Sequence, residues 1–168
     1  MTGEEVYSAF IDGELKTERE RRATLEARGV SVVAQSGGLV TLLTGIGALA
    51  KGAGVGALPT VAFGAVIVAL VFFLGAAVFG ILVNIPHLYP PHPVADAATM
   101  TEMRTSKRDH TDAEARSVIA HLHIGTVDKL RKGNDLKVQW ISAAQFAQVL
   151  AVVALSVAVW VIITHPSP

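Results

Sequence analysis

The chain has no cysteine among its 168 residues, which removes disulfides, thiolate metal ligands and thiol redox chemistry together. Aromatic residues are few, at 6%. Net charge is also missing: fourteen Lys and Arg balance fourteen Asp and Glu. There is therefore no overall basic field to hold nucleic acid, and none is expected as a partner. The most informative absences are local. No residue is charged from Gly29 to Ala50, a run of 22 positions, and the same holds from about Leu58 to Ile85 and from Gln139 to Thr164. These three runs contain no Asp, Glu, Lys, Arg or His. Such residues mark proton relays and ion pathways inside membranes, so their absence argues against a pump or coupled transporter.

What fills the uncharged runs is apolar. The chain is 51% hydrophobic, and each run is long enough to cross a hydrocarbon core of roughly 30 Å as a helix. The expected fold is an all-α membrane protein with three transmembrane helices, about 30–50, 59–85 and 139–164. A cytosolic N-terminal helix occupies 1–28, and a cytosolic segment, 86–138, holds a proline-rich exit and a charged helix. Residues 165–168 form an external tail. Ala48-Leu49-Ala50 looks like a signal cleavage site. The segment before it, however, carries seven acids and five bases and runs to Arg28, unlike the short basic start of a signal peptide. The first run is expected to stay as an anchor.

Orientation follows from Lys and Arg: five precede the first span, one follows it, eight lie between the second and third, and none follow the third. The positive-inside rule then puts the N-terminus and the central segment in the cytosol and the C-terminus outside.

Local signals refine this picture. Thr2 with Glu5 and Thr111 with Glu114 form capping boxes. A helix is expected from about Glu4 to Arg28, weakened at Gly13, with Val6, Phe10, Leu15 and Leu25 as its apolar contacts. A second stripe runs through Ala115, Val118, Ile119, Leu122 and Leu130, interrupted at Gly125 and closed at Gly133. Large Phe63, Phe72, Phe73 and Phe79 in the second span should face lipid, with Ala65, Ala69, Ala76 and Gly80 inward.

In lipid, apolar side chains gain nothing by leaving hydrocarbon for one another, so helices associate where small residues let backbones approach. Two small faces are predicted as helix contacts: Ala34, Gly38, Thr41, Gly45 and Ala48 on the first span, and Ala143, Ala147, Ala151, Ala154 and Ala158 on the third. For the first face the pattern fits a contact within the chain as well as one between copies. Gln35, Asn84, Gln145 and Gln148 lie at similar cytosolic depth, beside Ser36. They are predicted to form one hydrogen-bonded layer tying helices together, since amides in lipid need partners. Tyr89, Trp140 and Trp160 are predicted interface anchors. Twenty residues at ~1.5 Å rise put the two Trp rings about 30 Å apart, the separation of the interfacial belts.

The remaining constellations have plain readings. His121 and His123 are two apart on a helix, so their rings diverge, and His87 and His92 lie in a proline-rich loop without carboxylates at ligand spacing; no metal or cofactor is expected. KLRKGNDLK, Lys129 to Lys137, reads as topogenic charge near anionic headgroups. The roughly 80 cytosolic residues hold no nucleophile, base and orienter at a workable spacing, so no enzymatic activity is expected.

The stretch YSAFIDGELKTERERRATLEARGVSVVAQSGGLVTLLTGIGALA, from Tyr7, resembles the start of small bacterial membrane proteins of the SLATT and Pycsar-effector group. In KGNDLKVQWISAAQFAQVLAVVAL, Asn134, Lys137 and the alanine-rich helix after them resemble that group's return to the membrane. The likeness covers about two thirds of the chain, and the third full span departs from two-span members. It implies an oligomeric membrane effector of a bacterial defence or stress system in the inner membrane, which perturbs or permeabilises the bilayer after a nucleotide second messenger is sensed; a protein partner on the cytosolic side is the other expected trigger. The alternative from the residues alone is a non-conducting scaffold or accessory subunit that recruits a partner through its cytosolic helices.

Overall fold

The structure is a computed structural model that describes residues 3–52, 59–85, 95, 97–105 and 111–164. They form four helices: α1, Gly3–Gly52; α2, Thr60–Leu82; α3, Ala97–Thr105; and α4, Asp112–Thr164. No strand occurs among the described residues. All seven prolines of the chain lie outside these helices, and that decides their lengths. Glycine in a helix interior costs about 1 kcal/mol relative to alanine but keeps its N–H and C=O in the ladder, whereas proline removes a donor and clashes with the preceding turn. Thus α1 runs 50 residues through Gly13 without a break, and α4 runs 53 through Gly125 and Gly133. The weakening expected at Gly13 and the stops expected at Gly125 and Gly133 do not interrupt either helix.

Helix ends follow local chemistry. Pro59 precedes α2 with φ −51°, and its carbonyl accepts the Phe63 N–H at 3.0 Å. The α2 exit is a tightened turn in which Asn84 N–H bonds Ile81 O at 2.9 Å, two residues before Pro86. At the start of α4 the Thr111 capping box forms: Thr111 N–H donates to the Glu114 carboxylate at 2.8 Å, and the Glu114 N–H lies 3.4 Å from Thr111 Oγ1. The box expected at Thr2 and the anchor Tyr89 lie outside the described residues.

The chain divides into two compact units, Met1–Leu25 with Pro86–Lys137 and Glu26–Ile85 with Val138–Pro168. In the first, Leu15 is buried with Val127 and Leu130, whereas Val6 and Phe10, expected as contacts, are exposed. In the second, Val32 meets Ala76, Ala144 and Ala147 against Phe72 and Phe79. Deeper along the same helices Ala69, Phe73 and Ala151 pack with Val40, Leu43 and Leu155. The aromatic arrangement differs from expectation: Phe73 is fully buried and Phe72 and Phe79 are half-buried, leaving only Phe63 of the four exposed. Alanines and Gly80 beside them leave volume that these rings fill.

Among the described residues, two helices, α2 and α4, are long and apolar enough to cross a membrane. Only 22% of the apolar stretch in α2 and 17% of that in α4 is buried. The core helix of a water-soluble domain would be mostly covered; here Val61, Ile67, Val71 and Leu74 of α2 and Phe146, Val149, Val153 and Ile163 of α4 face outward.

Candidate functional site

In the second unit, the helices meet through glycine. An added Cβ on Gly80 would stand 2.9 Å from Gly29 O and 2.9 Å from Val33 Cγ2. One on Gly29 would stand 2.8 Å from Asn84 Nδ2 and 3.0 Å from Gly80 O. Both backbones therefore approach closer than any other residue allows. From Gly29 the buried stripe of α1 continues through Val32 and Ser36 to half-buried Val40 and Leu43, steps of three and four that keep one face.

That stripe is not the small face predicted for α1. Ala34, Gly38, Thr41 and Gly45 are exposed, and a Cβ added at Gly38 or Gly45 would meet nothing within 4 Å. The side chain of Ala48 lies outside the described residues. The contact within the chain uses the opposite side of the helix, anchored at Gly29. On α4, by contrast, Ala147, Ala151 and Ala158 are buried with Ala144, and Ala143 and Ala154 are half-buried.

The predicted amide layer does not form as one network among the described residues. Gln148 alone bridges helices: its Nε2 donates to Ser36 Oγ at 3.0 Å and approaches Val32 O at 3.4 Å. Gln35 turns outward and donates to Ser31 Oγ of its own helix at 3.3 Å. Asn84 Nδ2 donates to Gly80 O, one turn back on α2, at 3.3 Å. Gln145 is exposed. Similar depth along a helix does not imply the same face: the 100° step per residue sets Gln35 apart from Ser36, and Gln145, one turn before Gln148, falls on the exposed edge of that face of α4. Trp140 is half-buried and stacks on Phe79, with ring centroids 5.8 Å apart and planes at 23°. Its indole Nε1 is buried without a hydrogen-bond partner. Trp160 is 69% exposed.

The first unit holds a polar cluster that sequence reasoning did not assemble. Glu18, 6% exposed, accepts the Arg131 Nε–H at 3.1 Å and the Asn134 amide at 2.9 Å. Asn134 also donates to the Glu18 backbone carbonyl at 3.0 Å. Arg21 stands 3.7 Å from the same carboxylate and bonds Asp135 at 3.1 Å. Arg131 reaches Glu14 as well, and His123 Nδ1 lies 2.6 Å from Asp12. Asn134 and Lys137 are each 1% exposed. KLRKGNDLK is thus not a uniformly solvated basic strip: Asn134 and Lys137 face inward, Arg131 is neutralised by acids, and Lys132 pairs with Asp128 at 2.8 Å. The signal available in sequence was the step from 131 to 134 on one helix face opposite 14 and 18 on another, which separations of 113 to 117 residues hide.

Chemically, this arrangement fixes side chains and leaves no reactive group poised. The carboxylate of Glu18 is saturated by donors, and no group of three or more His, Asp and Glu side chains able to hold a metal occurs among the described residues. No family model, no curated protein and no solved structure matches the chain.

Proposed function

We propose that the protein is a bacterial inner-membrane protein with three spans, the uncharged half of α1 being the first and joining those of α2 and α4, and that it acts as an oligomeric effector that perturbs or permeabilises the bilayer. The observation that carries this reading is the outward apolar surface of α2 and α4, which no described residue covers and which water would not tolerate at this extent. Oligomerisation is supported by the open Ala34, Gly38, Thr41 and Gly45 face, which lets a second helix approach closely. A nucleotide second messenger as the trigger comes from the family resemblance, and a protein partner in the cytosol is the alternative to it. Reconstitution into dye-loaded liposomes tests the activity, with leakage expected to rise with protein density. Intact vesicles at every density, with or without added cell extract, would sink the effector reading.

The scaffold reading is favoured by a different feature. Tyr7 at 72% exposure, Phe10 at 65% and Ile124 at 54% display apolar surface in the first unit, the part read as cytosolic, where a recruited protein would cover it. Absent leakage combined with a stable protein complex recovered from membranes would select it.

Topology is tested by cysteine labelling of the naturally cysteine-free chain. Gly52→Cys is expected to react with an impermeant thiol reagent outside intact cells and Met103→Cys is not. The reverse pattern would overturn the orientation.

A further inference from the structure

Within the first unit, α1 and α4 pack on each other where Leu15 meets Val127 and Leu130. Nearer the N-terminal ends of both helices the facing residues are Ser8 on α1 and Ala113, Ser117 and Ala120 on α4, and the groove opens into a cavity of about 470 Å³. Tyr7, Ile11 and Arg116 complete its wall. Positions 113, 116, 117 and 120 follow helical spacing, so one face of α4 presents the guanidinium, a hydroxyl and two methyl groups together.

We propose that this cavity binds a small organic anion with an aryl or acyl body and one phosphate or carboxylate group. Its volume falls in the range of about 300–1,000 Å³ usual for small-molecule sites. Among the described residues, Arg116 is the only cation in the lining, no carboxylate lines the cavity, and Arg116 makes no ion pair. A guanidinium presents a planar fork of donors that fits an oxyanion in two bonds. The hydroxyls of Ser8 and Ser117 offer further donors, and Ile11, Ala113, Ala120 and the Tyr7 ring supply the apolar floor. A neighbouring cavity of the same volume, lined by Phe10, Ile11, Glu14, Ile124, Val127, Asp128 and Arg131, lacks this character, because its arginine is already held by Glu14 and Glu18. The inference stands apart from the proposed membrane activity and does not need it.

The test uses the full chain in detergent or nanodiscs, with calorimetric titration of phenyl phosphate and of inorganic phosphate. Phenyl phosphate is expected to bind saturably and inorganic phosphate at least ~10-fold more weakly, since only the former fills the apolar floor, a difference of about 1.4 kcal/mol. Arg116→Ala should weaken phenyl phosphate by a similar factor, with partial recovery in Arg116→Lys, and Ala120→Leu should block it by occupying the cavity. Arg116 is exposed and Ala120 half-buried, both outside the buried cluster of the unit, and unchanged circular dichroism would confirm folding of both variants. The proposal is overturned if phenyl phosphate does not bind saturably, or if Arg116→Ala and Ala120→Leu both leave its affinity intact. A lipid headgroup carries the same phosphate chemistry. Binding is therefore repeated in nanodiscs with and without phosphatidic acid, and displacement by that lipid would overturn a free small molecule as the occupant.

Discussion

Gly29 and Gly80 meet backbone to backbone: a methyl group on Gly80 would sit 2.9 Å from the Gly29 carbonyl oxygen. Because the obstructing atom is main chain and cannot rotate away, Gly80→Ala should separate α1 from α2 and destabilise the second unit by about 1–3 kcal/mol. Gly75→Ala is the control, since a Cβ there meets nothing within 4 Å, and it should be neutral or slightly stabilising through reduced chain entropy. Thermal unfolding in detergent reads both. Equal transition temperatures for the two variants would show that the close approach does not exist in solution.

The outward small face of α1 separates folding from assembly. Leu at Gly38 and Gly45 is expected to leave the monomer's unfolding transition unchanged, because both positions are open, while reducing particle mass in detergent if copies associate there. Loss of monomer stability would mean that this side is an intramolecular contact after all.

Glu18 and Asn134 should be coupled. Asn134→Ala leaves the carboxylate short of one donor, and Glu18→Ala leaves the buried Asn134 amide with only its bond to the backbone carbonyl of residue 18, each costing roughly 1–3 kcal/mol. The double variant should cost less than the sum by about 0.5–3 kcal/mol. The exposed Arg21–Asp135 pair, with side chains 41% and 64% accessible, should contribute no more than about 1 kcal/mol. Strict additivity at Glu18 and Asn134 would remove the cluster as a unit.

Among the four amides, only Gln148→Leu should matter, since it alone bonds across helices. Hydrogen bonds between membrane helices contribute about 0.6 kcal/mol on average and up to about 2, so the expected loss lies there. Gln35→Leu and Gln145→Leu should be neutral to mildly stabilising in detergent. A larger loss from Gln145→Leu than from Gln148→Leu would restore a polar layer on the other face.

The apolar stretches were legible because uncharged length needs no tertiary information, and the Thr111–Glu114 box is a local bond set. The run of the charged helices straight into the first and third stretches was not, because stops were expected at glycines that a helix tolerates. Which side of α1 turns inward was not legible. Gly29, Val32 and Ser36 form one admissible face and Ala34, Gly38 and Gly45 another, and in an apolar solvent composition does not rank them. The same reason reversed the expected placement of Phe72, Phe73 and Phe79: a ring gains as much from packing on alanine as from lipid. The polar cluster of the first unit stayed hidden because Glu18 and Asn134 are 116 positions apart, and no periodicity links residues across that distance.

The two tryptophans make the protein its own optical probe. Trp140, ring-stacked on Phe79 with an unbonded indole N–H, should emit at shorter wavelength and resist aqueous quenchers. Trp160, open to its surroundings, should be quenched by brominated acyl chains if lipid bathes it. Replacing Trp160 with Phe leaves a single emitter that reports, without any label, whether the α2–α4 seam opens when the bilayer is perturbed.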